Sequence, residues 1–251
     1  MLDIFDLTGK VALVTGGNRG LGRSMAEGLA KAGAHIAIVS HHGAPEVADA
    51  IRRYGVEAES FAFDLAELEQ IPHLVDRVIQ RFGRIDILIN NAGMQRRHKS
   101  EEFPKSDWDR VIAVNMTAVF LLCQAVGKHM LERHSGKIIN IASLLSFQGG
   151  ITVPAYAASK GAVVQFTKTL SNEWAKEGIN VNCIAPGYMD TEMNEALIAD
   201  PVRSRQILER IPAGRWGKGE DMAGAAVYLA SKASDYVNGS VLVVDGGWLG
   251  R

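Results

Sequence analysis

The stretch Thr15-Gly16-Gly17-Asn18-Arg19-Gly20-Leu21-Gly22 decides the fold. A β-branched run precedes it, and a helical pattern over residues 23–32 follows it. Glycine permits a tight turn, close approach of a pyrophosphate to the backbone and close packing of helix on strand, which are the roles predicted for Gly16, Gly20 and Gly22. The N–H groups that begin a helix attract an anion. The stretch therefore predicts a site for the phosphates of a dinucleotide.

Short β-branched runs alternate with longer amphipathic patterns along the whole chain. This alternation predicts a parallel sheet with helices on both faces, and the continuous apolar character of most runs indicates strands covered on both sides. The predicted strands are residues 11–15, 36–40, 60–64, 85–90, 137–142, 180–185 and 241–244. We therefore expect an α/β fold: a single Rossmann domain over residues 1–251, with a doubly wound seven-stranded parallel sheet.

The least regular stretch, residues 189–216, interrupts the alternation after the sixth predicted strand. It contains a charged helical pattern and ends in a loop that is rich in Pro and Gly. We interpret it as an insertion over the carboxyl edge of the sheet, which is where a substrate lid would lie.

Composition excludes several classes of function. A chain of 251 residues with 47% hydrophobic content can bury one substantial core. Lys and Arg number 27 against 28 Asp and Glu, so no broad charge attracts nucleic acid or an anionic membrane surface. The acidic start and the lack of a long uncharged apolar run predict no membrane span and a cytoplasmic protein. Cys123 and Cys183 are expected to be buried reduced thiols, and no metal site is predicted.

Tyr156 and Lys160 stand four residues apart at the start of a predicted helix, so both side chains can face one pocket. A tyrosine with a pKa of about 10 is a poor base at neutral pH, but a nearby fixed cation favours the phenolate. A lone Tyr-x-x-x-Lys pair is frequent by chance and usually marks a solvated helix face. The pair therefore indicates a catalytic site only in combination with other residues of the sequence.

Those residues form a joint pattern. The glycine spacing Gly-x-x-x-Gly-x-Gly and the motif Asn90-Asn91-Ala92-Gly93 resemble those of the short-chain dehydrogenase/reductase family, and the resemblance covers essentially the whole chain. The resemblance implies that Ser143 hydrogen-bonds the substrate oxygen and that Tyr156 exchanges a proton with it. It also implies that Lys160 binds the nicotinamide ribose and that Asn115 kinks its helix and holds a water. The implied catalytic residues are Asn115, Ser143, Tyr156 and Lys160.

The same resemblance assigns the cofactor site. Asp64 would hold the adenine ring, and Pro186-Gly187 with Thr191 would hold the nicotinamide carboxamide. The predicted cofactor-binding residues are Gly16, Asn18, Arg19, Gly20, Leu21, Gly22, Ser40, Asp64, Leu65, Asn91, Ala92, Gly93, Tyr156, Lys160, Pro186, Gly187 and Thr191.

The choice between NAD(H) and NADP(H) stays open. The second predicted strand ends Val39-Ser40-His41-His42, without the carboxylate that NAD-selective enzymes place there to bind the ribose 2′-hydroxyl. Arg19 occupies a position that is basic in many NADP-using relatives, and the histidines could add a donor to a phosphate. Alternatively, Arg19 stacks on adenine and the histidines are solvated.

The loop Met94-Gln95-Arg96-Arg97-His98-Lys99 is cationic and lies where such sheets bind ligands. Loop charge is usually only solvated, but Arg96 and Arg97 could bind a substrate carboxylate bidentately. Gln148 could hydrogen-bond sugar hydroxyls. Residues 140–150, 211–217, 236–239 and 244–248 are similar to family members that act on sugar acids.

This narrower similarity implies hydride transfer at a secondary alcohol or ketone of a deoxy sugar acid, of the 2-dehydro-3-deoxy-D-gluconate or 2-deoxy-D-gluconate type. Three alternatives stay open: a gluconate 5-dehydrogenase, a 3-oxoacyl-carrier-protein reductase and a non-catalytic dinucleotide-binding regulator. A regulator of this fold normally loses the Tyr or the Lys, and an acyl reductase needs an apolar channel. The expected partners are a small anionic sugar acid and, by family resemblance, three further copies of the chain in a homotetramer.

Overall fold

The computed structural model describes residues 2–251. Seven strands form one parallel sheet in the order β3-β2-β1-β4-β5-β6-β7. They are β1 (Val11–Thr15), β2 (His35–Ser40), β3 (Ala58–Ala62), β4 (Ile87–Asn90), β5 (Gly136–Ile141), β6 (Ile179–Pro186) and β7 (Val241–Val244). The predicted α/β class with a doubly wound seven-stranded parallel sheet is confirmed. The strand order reverses between β1 and β4, and ligands of open α/β sheets bind beyond the carboxyl ends of the strands at such a point.

Helices cover both faces of the sheet. They are α1 (Gly20–Lys31), α2 (Pro45–Arg52), α3 (Ile71–Phe82), α4 (Lys105–Ile112), α5 (Ala118–Glu132), α6 (Pro154–Trp174), α7 (Glu195–Ala199), α8 (Pro201–Arg210) and α9 (Gly219–Ala230). Side chains of β1 alternate between two apolar clusters, as the two-residue period of a strand requires. Val14 packs in the cluster that contains Met25 of α1 and Met222 of α9, whereas Leu13 packs in the cluster that contains Leu122 of α5.

Two strand predictions were wrong at their ends. The third strand runs over Ala58–Ala62 and not over 60–64, because its register pairs Ile36 with Ala58 and Ser40 with Ala62, so the ladder stops where β2 stops. Asp64 therefore lies beyond the strand. The fourth strand begins at Ile87 and not at 85. The other strands agree with the prediction to within one residue at each end, but α1 begins at Gly20, inside the glycine turn, and not at residue 23.

The helical stretch Lys105–Glu132 is long and apolar enough to cross a membrane, judged by length and composition alone. Half of its most apolar window is buried within the fold. Within this stretch α5 packs against α3, α6 and the sheet, so its apolar character is explained by its place as a core helix.

Residues 189–216, which we call the lid segment, contain α7 and α8. The segment leaves and rejoins the fold at one place, because Met189 and Gly217 form an isolated parallel bridge. A separate apolar cluster lies beneath the segment, in which Ile207 and Ile211 pack with Leu144 and Trp248. The sequence prediction of a helical insertion at this position thus corresponds to two short helices seated on the carboxyl edge of the sheet.

Candidate active site

The end of β5 and the start of α6 bring the predicted catalytic residues together. Tyr156 lies in the first turn of α6, and Lys160 follows one turn later, with its Nζ 5.7 Å from the centre of the Tyr156 ring. Ser143 follows β5 and caps a short 3-10 turn, where its Oγ accepts the Leu145 amide at 3.2 Å. Lys160 Nζ donates to the carbonyl of Ile141, the last residue of β5, at 2.6 Å. These contacts place Ser143, Tyr156 and Lys160 together at the junction of β5 and α6.

Burial controls the ionisation of these groups. Burial raises the pKa of Tyr156, and a hydrogen bond with Ser143 acts on that pKa in the opposite direction without cancelling the effect. Burial also lowers the pKa of Lys160 to about 8. The expectation that Lys160 lowers the pKa of Tyr156 is therefore not met by these residues alone, because both groups lose water. At neutral pH the phenol is protonated and can donate a proton.

Asn115 lies where α4 gives way to α5. A five-residue π-helical turn, Ala113–Thr117, separates the two helices, and such turns distort a helix at functional sites. The fully buried Asn115 amide exchanges two hydrogen bonds with the backbone of Met94, at 2.9 and 2.8 Å, and donates to Ser159 Oγ at 3.4 Å. Asn115 therefore ties the loop after β4 to the catalytic helix α6, and the helix is distorted where the sequence predicted a kink.

The glycine turn is shaped by close backbone contacts. Gly16 has a φ of +64°, and a Cβ on it would lie 2.8 Å from Asn91 Nδ2. A Cβ on Gly22 would lie 2.2 Å from the carbonyl oxygen of Gly16. Asn91 holds the turn from the other side, because its Nδ2 donates to the Thr15 carbonyl at 3.0 Å. Glycine is therefore required sterically at both positions, as predicted.

Three observations test whether a dinucleotide fits this region. A Cβ on Gly20 would meet only Thr191 Cγ2, at 3.8 Å, so the space beside the turn is open. The N-cap residue of α1, Arg19, makes no capping hydrogen bond with its side chain, which leaves the first amides of the helix available to an anion. Within residues 2–251, the hydroxyl of Ser40 at the end of β2 is buried and has no hydrogen-bond partner. An orphaned hydroxyl and open amides fit the ribose and pyrophosphate of NAD(P).

The adenine end of the region carries a fixed carboxylate. Asp64 accepts from Arg110 at 2.8 Å and from the Ala66 amide at 2.9 Å, and His41 lies 3.5 Å away. Burial alone would raise the pKa of Asp64, but the hydrogen bonds from Ala66 and Arg110 outweigh it, so the pKa is lowered. The guanidinium of Arg19 is engaged elsewhere, because it pairs with Glu192 of the lid segment.

The residues predicted to hold the nicotinamide lie where β6 and β7 end. Pro186 is the last residue of β6, and the Gly187 amide donates to the Val244 carbonyl at 2.9 Å. A Cβ on Gly187 would lie 2.6 Å from Asp245 Cα, so the backbone after β6 packs closely against the chain that follows β7. The cofactor residues predicted from the sequence lie at or shortly after the carboxyl end of a strand, or in the first two turns of α1 or α6, and the parallel sheet brings these strand ends to one edge. In residues 2–251 no group of three His, Cys, Asp or Glu side chains could hold a metal ion.

A cavity of about 380 Å³ opens beside the catalytic residues. Ser143 and Tyr156 line it, together with the predicted substrate residues Arg97 and Gln148. The structure does not bring Arg96 to the cavity, because Arg96 Nε lies 3.5 Å from the Asp107 carboxylate.

Among the cavity-lining residues that sequence reasoning missed are three polar residues of α8: Arg203, Gln206 and Arg210. Their spacing of three and four residues is that of a single helix face, so helical periodicity could have grouped them. It could not have told which way that face points.

Comparison with known proteins gives the family. A family model described as short chain dehydrogenase matches residues 10–201. The 2-dehydro-3-deoxy-D-gluconate 5-dehydrogenase of Escherichia coli strain K12 is 52% identical over 252 residues, covering 100% of each chain. The 5-keto-D-gluconate 5-reductase of the same strain is 47% identical over 251 residues and 99% of each chain.

A solved gluconate 5-dehydrogenase from Burkholderia cenocepacia J2315, in complex with NADP and tartrate, superposes with a TM-score of 0.95 at 46% identity, over 100% of this chain and 99% of that one. The family predicted from the glycine turn and the Tyr-Lys pair is thus confirmed. The chain belongs to the short-chain dehydrogenase family and is an NAD(P)-dependent oxidoreductase that acts on CH–OH groups.

Proposed function

We propose that this chain transfers a hydride between a nicotinamide cofactor and a secondary alcohol or ketone of a deoxy sugar acid, of the 2-dehydro-3-deoxy-D-gluconate type. The observation that carries the proposal is the cavity in which Ser143 and Tyr156 meet Arg97 and Gln148. Ser143 and Tyr156 can contact the oxygen on the reacting carbon. The guanidinium of Arg97 can bind a carboxylate, and the amide of Gln148 can bind hydroxyls.

The nicotinamide cofactor, when bound, supplies or accepts the hydride. The residues of the chain handle the proton. Ser143 donates a hydrogen bond to the substrate oxygen as negative charge develops there, and Tyr156 gives up its proton to that oxygen during reduction. A phenol that is protonated at neutral pH suits this direction, and burial raises the pKa of Tyr156 further above its ordinary value. Lys160 binds the cofactor ribose, and Asn115 positions α6 through Ser159.

The relatives support a sugar-acid substrate, since the two Escherichia coli proteins are named for acids of the gluconate series. Tartrate in the Burkholderia protein is a small hydroxy acid, which supports an anionic ligand at a related site. A gluconate 5-dehydrogenase stays the second candidate, because the same cavity suits its substrate. An acyl-carrier-protein reductase is disfavoured by the polar Arg97 and Gln148, and a non-catalytic regulator by the presence of Tyr156 and Lys160.

NADP(H) is the cofactor that we favour. The end of β2 carries no carboxylate to repel a 2′-phosphate, and the free hydroxyl of Ser40 is a donor at that position. His41 lies next to it. The NADP bound to the Burkholderia relative supports the same choice.

A cytoplasmic homotetramer is part of the proposal. Phe120 of α5 is 38% exposed and packs edge-to-face on Phe166 of α6, and Val243 of the edge strand β7 is 37% exposed. These apolar residues lie on the two long helices and the C-terminal segment, through which family members assemble. The free buried thiols of Cys123 and Cys183 are consistent with a reducing compartment. Light scattering measures the assembly, and a monomer at micromolar concentration would contradict this part.

The decisive test is a spectrophotometric screen of NADPH and NADH against two keto acids and, as the neutral control, a keto thioester. The panel contains the 5-keto product of 2-dehydro-3-deoxy-D-gluconate, 5-keto-D-gluconate and an acetoacetyl thioester. We expect turnover of the first acid above the second, none of the thioester, and faster reaction with NADPH. Preference for the thioester would overturn the proposal.

A further inference from the structure

Three arginine side chains line the active-site cavity: Arg97 from the loop after β4, and Arg203 and Arg210 from α8. None of the cavity-lining residues in the described range 2–251 is Asp or Glu. A concave site that gathers several guanidinium groups without a counter-charge is built to receive an anion, because unpaired like charges are costly to hold together.

Arginines that have an ion pair provide a comparison for the three that line the cavity. Several guanidinium groups on the surface are paired with carboxylates, for example those of Arg19, Arg96 and Arg215. By contrast, the side chain of Arg203 makes no hydrogen bond or ion pair with any residue in 2–251. The hydrogen bond of Arg97 is a long one, 3.4 Å, to the neutral amide of Gln95.

Arg210 is held in place without being neutralised. Its guanidinium lies over the ring of Trp248 at 4.1 Å, an arrangement that fixes the plane of the group and leaves its N–H donors free. Trp248 itself is 4% exposed and belongs to the apolar cluster beneath the lid segment. The stacking therefore orients Arg210 on a rigid base.

The packing of α8 explains why its cations face the cavity. Ile207 and Ile211 bury one face of the helix end against Leu144 and Trp248. Arg203 and Arg210 stand at positions i and i+7 of the neighbouring stripe, with Gln206 between them. With the apolar face anchored, this stripe can only point along the cavity wall.

We infer that α8 is the carboxylate receptor of the enzyme: Arg203 and Arg210, together with Arg97, bind the carboxylate of the substrate and select sugar acids over neutral sugars. Ser143 and Tyr156 then contact only the reacting carbon and its oxygen. The inference rests on the proposed function in one respect, which is that the reacting molecule is an acid.

The kinetic test uses three receptor variants: Arg203→Gln, Arg210→Gln and the double variant that carries both changes. Arg205→Gln is the control for all three. Arg205 is an exposed arginine of the same helix that does not line the cavity, so it matches the charge change. For each receptor variant we expect kcat/KM on the keto acid to fall about 10-fold to 100-fold, mostly through KM. The value for the carboxamide of the same acid should change by less than about threefold, and Arg205→Gln should behave as the wild type.

A binding test does not depend on turnover. Tartrate is titrated calorimetrically into the NADPH complex of each variant, and NADPH affinity serves as the check on folding. We expect tartrate affinity to fall in Arg203→Gln, whose lost side chain makes no hydrogen bond within the described chain, and further in the double variant. Tartrate binding that depends on Arg203 in an enzyme that reduces no sugar acid would defeat the proposed function and leave the receptor standing.

Two results would overturn the inference. One is a double variant that binds tartrate as the wild type does and keeps the same preference for acid over amide. The other is a wild-type enzyme that binds neither tartrate nor any sugar acid.

Discussion

Two regions face each other across the active-site cavity and differ in how they are held. The first, which we call the catalytic floor, consists of Asn115, Ser143, Tyr156 and Lys160. Its Asn115 and Lys160 are 0% and 3% exposed, and their hydrogen bonds reach backbone of the sheet and its loops. The second is the lid segment, whose helix α8 buries a single residue, Ile207.

The difference separates two functions. A proton donor must be held to a fraction of an ångström, and anchoring at the junction of α6 with the end of β5 provides that precision. Recognition of a distant carboxylate tolerates a surface helix that is anchored by a small apolar cluster. Under the proposed function, the catalytic floor defines the reaction, and the lid segment defines which molecule undergoes it.

The largest effect should come from the floor. Tyr156→Phe removes the proton that the substrate oxygen needs, and we expect kcat to fall about 100-fold to 10,000-fold. Cofactor affinity should stay within about threefold of the wild type, because the ring and Lys160 remain. Steady-state kinetics and a fluorescence titration with NADPH measure the two quantities. Wild-type turnover in a folded variant would remove Tyr156 from the floor.

The floor should also contribute to the response of stability to pH. In the folded chain the pKa of Lys160 is lowered to about 8 from its ordinary 10.5, so the unfolded chain binds more protons between these values. The buried charge therefore costs folding free energy below pH 8, and this cost disappears as pH rises towards 10.5. Lys160→Met escapes the cost. Its free energy of unfolding relative to the wild type should thus decline by roughly 3 kcal/mol from pH 7 to pH 10.5.

Urea denaturation at several pH values measures this difference directly. Lys168→Met is the matched control, since Lys168 is an exposed lysine of the same helix, and its difference from the wild type should stay flat. A flat profile for Lys160→Met as well would mean that Lys160 is not held at a cost by the floor.

Part of the site could be predicted from local patterns, whereas the roles of Ser143 and Asn115 came from the family resemblance. The turn from Gly16 to Gly22 follows from backbone sterics, and the pair Tyr156 and Lys160 follows from helix periodicity. The end of β3 could not be predicted, because the partner strand and not the sequence of β3 sets it.

The wall of the substrate cavity shows the same limit more strongly. Arg96 and Arg97 are neighbours of one type, and only the position of Asp107 on α4 distinguishes them. Arg203 and Arg210 share a helix face whose direction depends on Trp248, far along the chain. Tertiary contacts of this kind carry no signal in a single sequence. The chemistry was therefore readable from motifs, whereas the receptor required the structure.

The smallest effect tests whether the two regions are coupled through the cofactor. Arg19 at the start of α1 pairs with Glu192 of the lid segment, and the two side chains are 67% and 63% exposed. An ion pair this exposed is weak and screened by salt. For Glu192→Gln we expect NADPH to dissociate about twofold to fivefold faster at low salt, with the difference vanishing at 1 M NaCl.

Glu195→Gln removes an exposed lid acid that makes no ion pair within residues 2–251, and it should leave the rate unchanged. Stopped-flow release of NADPH measures both variants. An equal acceleration in the two would show that the effect does not come from the Arg19–Glu192 ion pair, and the lid segment would then not be coupled to the cofactor through that pair.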